Sequence, residues 1–266
     1  MYKILFILLS IFSLSTAAKA EEVITIVADE WCPYNCKPNS EKPGYGIEIA
    51  QEIFSKNNIK VEYINLPWDR AIQETREGNY NAVIGANRLE AEGFVFPEER
   101  IGYSVNYFFV KEESNWQFNG ISSLENVSLG VIDGYSYNTE LDGYIEKNKT
   151  NPDKIQVIDG EIGLVQNFRK LEMGRIDVFV ENQAVAANYI NENRIIGIKS
   201  AGQMMDENRE HDFVYIAFSP KNPNSQKYAE MLSKGIKEMR ENGKLQEILD
   251  QYYVTDWALQ QVIILN

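Results

Sequence analysis

The chain has 266 residues, 44% of them hydrophobic and 24% charged, enough for one large domain or two lobes of ordinary size around a packed core. Its formal net charge of −13 argues against nucleic acid and anionic membrane as partners. That charge hints weakly at a cationic or zwitterionic ligand, with plain solubility an equal explanation.

Met1 to Ala20 is laid out as a secretory signal. Lys3 supplies the positive start, Ile4 to Leu14 a short apolar core, and Ala18-Lys19-Ala20 a small-x-small cleavage site. The apolar run falls short of the roughly 20 residues that a spanning helix needs, and no later stretch is long enough. No cysteine follows the cleavage site to take a lipid. The mature chain is expected to start near Glu21 and to be exported and soluble, and without Lys3 and Lys19 its net charge becomes −15.

The first apolar run, Val23–Ala28, is β-like and leads into Asp29-Glu30-Trp31-Cys32-Pro33-Tyr34-Asn35-Cys36, which holds both cysteines. In an oxidising space two cysteines favour a disulfide over a metal site. The loop that Cys32 and Cys36 would close is small, so its stabilisation sits low in the usual range. A thioredoxin-type two-residue spacing is absent, and a local staple is a plainer reading than a catalytic disulfide.

Further along, Gly46–Lys56 carries Ile47, Ala50, Ile53 and Phe54 at helical spacing. Val61–Leu66 alternates like a strand, and Trp68–Arg76 is helical with Gly78 as its stop. Ala82–Ile84 and Val105–Val110 are β runs. A second block follows: strand Val127–Ile132, turn Asp133-Gly134, a helix opened by Tyr135-Ser136-Tyr137-Asn138, strand Ile155–Ile158, helix Ile162–Met173, strand Ile176–Val180 and helix Gln183–Ile190. Val214–Phe218 is a strand, Ser225–Arg240 a long amphipathic helix, and Lys244–Tyr252 a final helix after Gly243. Strands alternating with helices of 10–15 residues predict an α/β fold of mostly parallel sheets covered by helices. The expected organisation is a signal at 1–20, a first lobe at 21–110, a second lobe at 111–212, and a return to the first lobe with C-terminal helices at 213–266. Two chain crossings would then form a hinge.

Five segments, in order, resemble the periplasmic solute-binding proteins of family 3, which include polar amino-acid receptors of ABC importers. They are Trp31-Cys32-Pro33-Tyr34 with Gly44-Tyr45-Gly46-Ile47-Glu48-Ile49, Gly78 to Gly85, Ser123 to Val131, Gly174 to Glu181, and Ser219-Pro220-Lys221-Asn222-Pro223 with Glu241 to Ile248. The resemblance covers nearly the whole mature chain. It implies a two-lobed clamp of the periplasmic-binding-protein type II fold, monomeric, in the periplasm, with a small polar ligand buried between the lobes on closure. An ABC permease or a membrane sensor would be its partner.

In such receptors an arginine shortly after the Gly85 strand pairs with the ligand carboxylate, a task suited to a planar, two-pronged donor. Alignment on that strand puts it near position 92 or 93, where this chain has Glu92 and Gly93. Arg88 and Arg70 are the candidate substitutes, and an ordinary ion pair is the plainer account of either. Glu181 matches the acidic residue that holds the ligand ammonium, against the alternative of a solvated helix start. Tyr135 and Ser136, at the expected helix start, could offer N–H groups to an anion, although Ser136 or Asp133 could simply cap the helix. Trp31 and Tyr34 are candidate flat walls for the ligand, and Trp68 leans toward the core.

Enzymatic chemistry has thin support. His211 is the only histidine and has no serine elbow. No metal-ligand spacing and no phosphate loop is present, and no cofactor is implied. The expected function is therefore capture of an amino acid or related zwitterion by hinge closure and delivery to an ABC importer. The alternatives are a cyclohexadienyl-type dehydratase on the same fold, with Glu92 or Glu181 as general acid, and a sensory receptor.

Overall fold

The computed structural model describes residues 22–158, 160–204 and 212–259; the signal-like segment and His211 lie outside them. In chain order the elements are β1 (Glu22–Ala28), α1 (Tyr45–Ser55), β2 (Ile59–Asn65), α2 (Trp68–Glu77), β3 (Ala82–Ala86), β4 (Gly102–Tyr103), β5 (Asn106–Lys111), β6 (Leu129–Ile132), α3 (Thr139–Asn148), β7 (Ile155–Ile158), α4 (Gly163–Glu172), β8 (Val178–Asn182), α5 (Gln183–Asn193), β9 (Ile198–Gln203), β10 (Phe213–Phe218), α6 (Ser225–Glu241) and α7 (Lys244–Asp250).

The strands form two five-stranded sheets, ordered β2-β1-β3-β10-β4 and β7-β6-β8-β5-β9. Each has a parallel core: β2-β1-β3 in one, β7-β6-β8 in the other. Each is completed by antiparallel strands, β10 against β3 and β5 against β8. Parallel strands need helical crossovers, and these cover both faces. The central strands β8 (VFVEN) and β10 (FVYIAF) are accordingly buried along their whole length. In the second sheet the period of two sorts residues cleanly: Phe108, Val110, Val178 and Val180 enter one core cluster, while Phe109 and Phe179 enter the other.

The chain passes between the sheets twice, from β4 to β5 and from β9 back to β10. At these crossings the Ser104 N–H donates to the Asp212 carbonyl at 2.6 Å, and the Met204 N–H to the Asn106 carbonyl at 2.7 Å.

Three expectations need correction. The strand expected at Val105–Val110 is β5 and belongs to the second sheet, so the first crossing lies at Ser104-Val105 rather than near 110. Sheet membership is decided by β5 pairing with β8 and β9, which local periodicity cannot register. The helix expected from Tyr135 starts at Thr139, because the Asn138 side chain accepts the Leu141 N–H at 2.8 Å and takes the capping position. Two strands were not anticipated: β4 is only two residues long, and β9 (IKSAGQ) is polar with a single buried residue, Ala201.

Cys32 and Cys36 are disulfide-bonded, with Cα atoms 4.5 Å apart. Their loop is also the entry to α1: the Tyr45 N–H donates to the Pro33 carbonyl at 3.0 Å and the Gly46 N–H to the Tyr34 carbonyl at 2.9 Å. Two amides left open at a helix N-terminus are thereby satisfied by the loop.

Two glycines should respond oppositely to Ala. A Cβ at Gly235 in α6 would meet Ile53 of α1 at 2.5 Å, whereas one at Gly143 in α3 would meet nothing within 4 Å. Gly235→Ala is expected to cost roughly 1–3 kcal/mol through overpacking. Gly143→Ala should add about 0.4–1 kcal/mol by restricting the unfolded chain. Denaturant midpoints of both variants check the pair, and equal midpoints would contradict the packing.

Candidate functional site

A cavity lies between the two sheets, walled by side chains from both. From the first sheet and its loops come Asp29, Trp31, Trp68, Gly85, Asn87 and Glu90; from the second come Asn106, Tyr135, Ser136, Tyr137, Asn138 and Glu181. Ser104 and Asp212, at the crossings, complete the floor. Asp29 follows β1 directly, and Glu181 is the last but one residue of β8. Both therefore stand at the carboxyl ends of strands, where open α/β sheets leave a crevice for ligands.

The disulfide loop sets Trp31. Its N–H donates to the Asn35 carbonyl at 2.8 Å, and its carbonyl accepts from Tyr34 and Asn35, closing a tight turn. Asn35 is fully buried and donates to the Asp29 carbonyl at 2.7 Å and to the Tyr63 hydroxyl at 3.1 Å. Tyr34 stacks behind Trp31, ring centroids 4.3 Å apart and planes 17° apart. Gly85 lies under the indole: its φ is +96°, in the region that favours glycine, and a Cβ there would sit 3.4 Å from the ring.

Glu181 is 2% exposed. One of its oxygens, Oε1, accepts both the Trp31 indole N–H at 3.3 Å and the Asn182 N–H at 2.8 Å. The other oxygen has no donor among the described residues. Asn182 then caps α5, accepting from Ala184 and Val185, and donates across to the Tyr34 hydroxyl at 3.3 Å and Ser104 Oγ at 3.1 Å. Asp29 accepts the Tyr135 hydroxyl at 2.5 Å. Trp31 to Glu181, Tyr135 to Asp29 and Asn182 to Tyr34 all join one lobe to the other, so the lobes are closed on one another. Gly134 shows how tightly, since a Cβ there would come within 2.6 Å of Asp69 Oδ1.

Glu90 is held by a reciprocal turn. The Asn87 side chain accepts the Leu89 and Glu90 N–H groups at 2.9 Å each, and Glu90 Oε2 accepts the Asn87 N–H at 3.3 Å. This is capping-box chemistry on an Asn-x-x-Glu spacing, a signal the sequence carries.

The three carboxyls share one electrostatic condition. Burial pushes Asp29 up to about 6, against the opposing pull of the Tyr135 hydroxyl. Burial likewise raises Glu90 to about 7, opposed by the Asn87 N–H and the Trp68 indole. Glu181 rises to about 7 for the same reason, with the Asn182 and Trp31 donors opposing and the Asp29 charge adding. The Tyr135 and Tyr137 phenols are driven well above their usual range by burial and by these carboxylates, so they stay neutral. None of the described residues lining the cavity is Arg, Lys or His.

The residues singled out from sequence divide accordingly. Trp31, Trp68, Tyr135, Ser136 and Glu181 meet at the cavity. Tyr34 stands behind Trp31, facing a separate hollow with Tyr45 and Trp257. Arg70 points to solvent beside Glu74. Arg88 is exposed and lies over the Phe96 and Tyr215 rings, 4.7 and 5.0 Å from their centroids, on another face. Glu92 is exposed too, and its carbonyl accepts from Arg76 at 2.5 Å. Neither arginine reaches the cavity. The anion site expected at the helix start is also filled, because Asp142 accepts both the Ser136 hydroxyl at 2.6 Å and the Tyr137 N–H at 2.9 Å. Asp29, Glu90, Asn106, Tyr137 and Asp212 were not anticipated in the site.

The folded, ligand-free protein holds protons on these carboxyls to higher pH than the unfolded chain does. Their effect on stability is therefore most favourable below pH ~4 and is lost as pH rises through about 7. For Glu181 alone this is on the order of 3 kcal/mol. Melting of ligand-free wild type should fall more steeply between pH 5 and pH 8 than that of Glu181→Gln. Parallel curves would contradict the burial assigned to this carboxyl.

Comparison with known proteins bears on the whole chain. Residues 23–255 match the family model for bacterial extracellular solute-binding proteins, family 3. The L-cystine-binding protein TcyA of Bacillus subtilis is 23% identical over 228 residues, 84% of this chain and 77% of that protein. A probable histidine-binding protein of Campylobacter jejuni is 22% identical, covering 85% and 82%. Among solved structures, an ancestral arginine-binding protein bound to glutamine superposes with a TM-score of 0.69 at 20% identity, covering 88% and 98% of the two chains. A histidine kinase sensor domain with similarity to periplasmic binding proteins gives 0.65 at 15% identity, covering 88% and 97%. The two-sheet clamp and the match along 23–255 have one conclusion: this chain belongs to the bacterial extracellular solute-binding proteins of family 3.

Proposed function

We propose that the protein is an extracytoplasmic receptor that captures a small polar solute in the interlobe cavity by hinge closure and delivers it to an ABC importer. The observation that carries this reading is the set of bonds across the cavity mouth. Trp31 on Glu181 and Tyr135 on Asp29 each join a residue of one lobe to a residue of the other. A ligand touching both walls adds contacts that exist only in the closed form, which is the condition for a solute to shift a hinge equilibrium. The relatives named as cystine- and histidine-binding proteins support a small amine-bearing solute. Glu181 is the residue assigned to its positive charge, with Trp31 and Trp68 as flat walls.

The sensory alternative draws on the kinase sensor domain of the same fold. It differs in the membrane partner, not in the cavity. The dehydratase alternative is less well supported. Its substrates are carboxylic acids, which would have to enter a cavity already lined by Asp29, Glu90 and Glu181 with no described basic residue. Glu92, one of the two general acids considered for it, is exposed outside the cavity.

A thermal-shift screen of amino acids, amines, small peptides and organic acids tests solute capture. A true ligand at 100 times its Kd adds about 2.7 kcal/mol to stability, a clear rise in melting temperature. A flat response across all four classes would remove the support for a receptor. Against whichever amine-bearing hit emerges, Glu181→Gln should weaken binding more than tenfold, about 1.4 kcal/mol. Undiminished affinity would take Glu181 out of the site.

A further inference from the structure

We propose that the interlobe cavity selects an organic cation that carries no carboxylate, an amine of the alkyl-diamine or guanidino-amine type, over the corresponding amino acid. The proposal rests on the reading of this cavity as the solute site and names the class of solute.

Two observations carry it independently. The first is what the cavity offers a positive charge. Glu181 is 2% exposed, lines the cavity, and has one carboxyl oxygen with no donor among the described residues. Asp29 is 6% exposed, and its carboxyl accepts from the Tyr135 hydroxyl and its own backbone N–H, with no cation beside it among the described residues. Glu90 faces the same space from the Asn87 turn. Trp31, Trp68, Tyr135 and Tyr137 line that space, and aromatic faces attract cations, most strongly where water is excluded.

The second is what the cavity withholds from a carboxylate. Among the described residues, each usual means of holding one is missing or already used. No described lining residue is basic, and both candidate arginines lie elsewhere, Arg70 beside Glu74 and Arg88 over Phe96 and Tyr215. The donors ahead of α3 are consumed internally, with Ser136 and the Tyr137 N–H on Asp142 and the Leu141 N–H on Asn138. At α5, Asn182 takes the Ala184 and Val185 N–H groups. The other titratable groups near the site, Glu30, Asp142 and Asp212 with the Tyr63, Tyr135 and Tyr137 phenols, are acidic or neutral. A zwitterion would bring its own carboxylate among like charges with little water between them, and unit charges at 4 Å interact at about 4 kcal/mol even in a medium of dielectric about 20. A cation instead supplies the counter-charge these carboxyls lack, and its arrival releases the protons they hold when the cavity is empty.

Matched pairs isolate the carboxylate. Calorimetric titration of the mature protein compares 1,5-diaminopentane with L-lysine, and agmatine with L-arginine, each at pH 7.5 and pH 5.5. In at least one pair the amine should bind tenfold or more tighter than its amino acid at pH 7.5. The same amine should weaken at least tenfold at pH 5.5, with buffer-dependent heats that report more proton release at pH 5.5 than at pH 7.5. Glu90→Gln, which keeps the shape and removes the charge, should retain a cooperative melt and weaken the amine at least tenfold. Equal or tighter binding of lysine or arginine overturns the proposal while leaving solute capture intact. So does failure of both amines when another compound in the thermal screen stabilises the protein. Failure of every compound in that screen strikes at solute capture itself, and the proposal falls with it.

Discussion

Two short backbone contacts set the relation between the halves of this molecule. The Ser104 amide rests on the Asp212 carbonyl and the Met204 amide on the Asn106 carbonyl, so the outgoing crossing is tied to both described ends of the return. These ties hold the two sheets in register with one another. The carboxyl end of β1 stands opposite the carboxyl end of β8, and Asp29 and Glu181 face one space. Ser104, Asn106 and Asp212 also line the cavity. The residues of the crossings and the floor of the cavity are thus the same.

Burial of three carboxyls in that space is a cost the fold has accepted. The apolar strands and aromatic walls exclude water, and exclusion drives the acids toward their protonated forms. The fold offsets part of the penalty with donors: the Trp31 indole and Asn182 amide for Glu181, the Tyr135 hydroxyl and its own amide for Asp29, the Asn87 amide and Trp68 indole for Glu90. It leaves the rest uncompensated. In the proposed reading, exclusion of water strengthens both the attraction of these carboxylates for a cation and their repulsion of an anion, so discrimination comes from both.

Much of the architecture was legible from periodicity. The alternation of strand and helix, the two blocks and the order of segments follow from apolar spacing, and the signal-like start made the cysteine pairing the better reading. What sequence could not resolve was decided by tertiary contacts. β5 reads as a strand wherever it pairs, so only its partners assign it to the second sheet. β9 is too polar to stand out from a loop. At the cavity, Glu181 was reached through the family resemblance and Trp31 through its place in a short aromatic loop. Asp29 and Glu90 were not, since two acids among 39 look alike until burial separates them. Arg70 and Arg88 erred in the other direction: a cation near the right position in sequence was placed on an exposed helix face or over rings on another surface.

The disulfide loop has a consequence for the sequence of events in the cleft. Cys32–Cys36 closes the turn covalently, Asn35 ties it to the end of β1, and its carbonyls hold the start of α1. Trp31, stacked on Tyr34 and bedded on Gly85, is therefore anchored entirely within the first lobe. The second lobe adds only the Glu181 bond at the indole edge. That side of the cavity wall is thus built without help from the second lobe. In the proposed receptor, a solute would find this aromatic face formed whether or not the second lobe had closed on it.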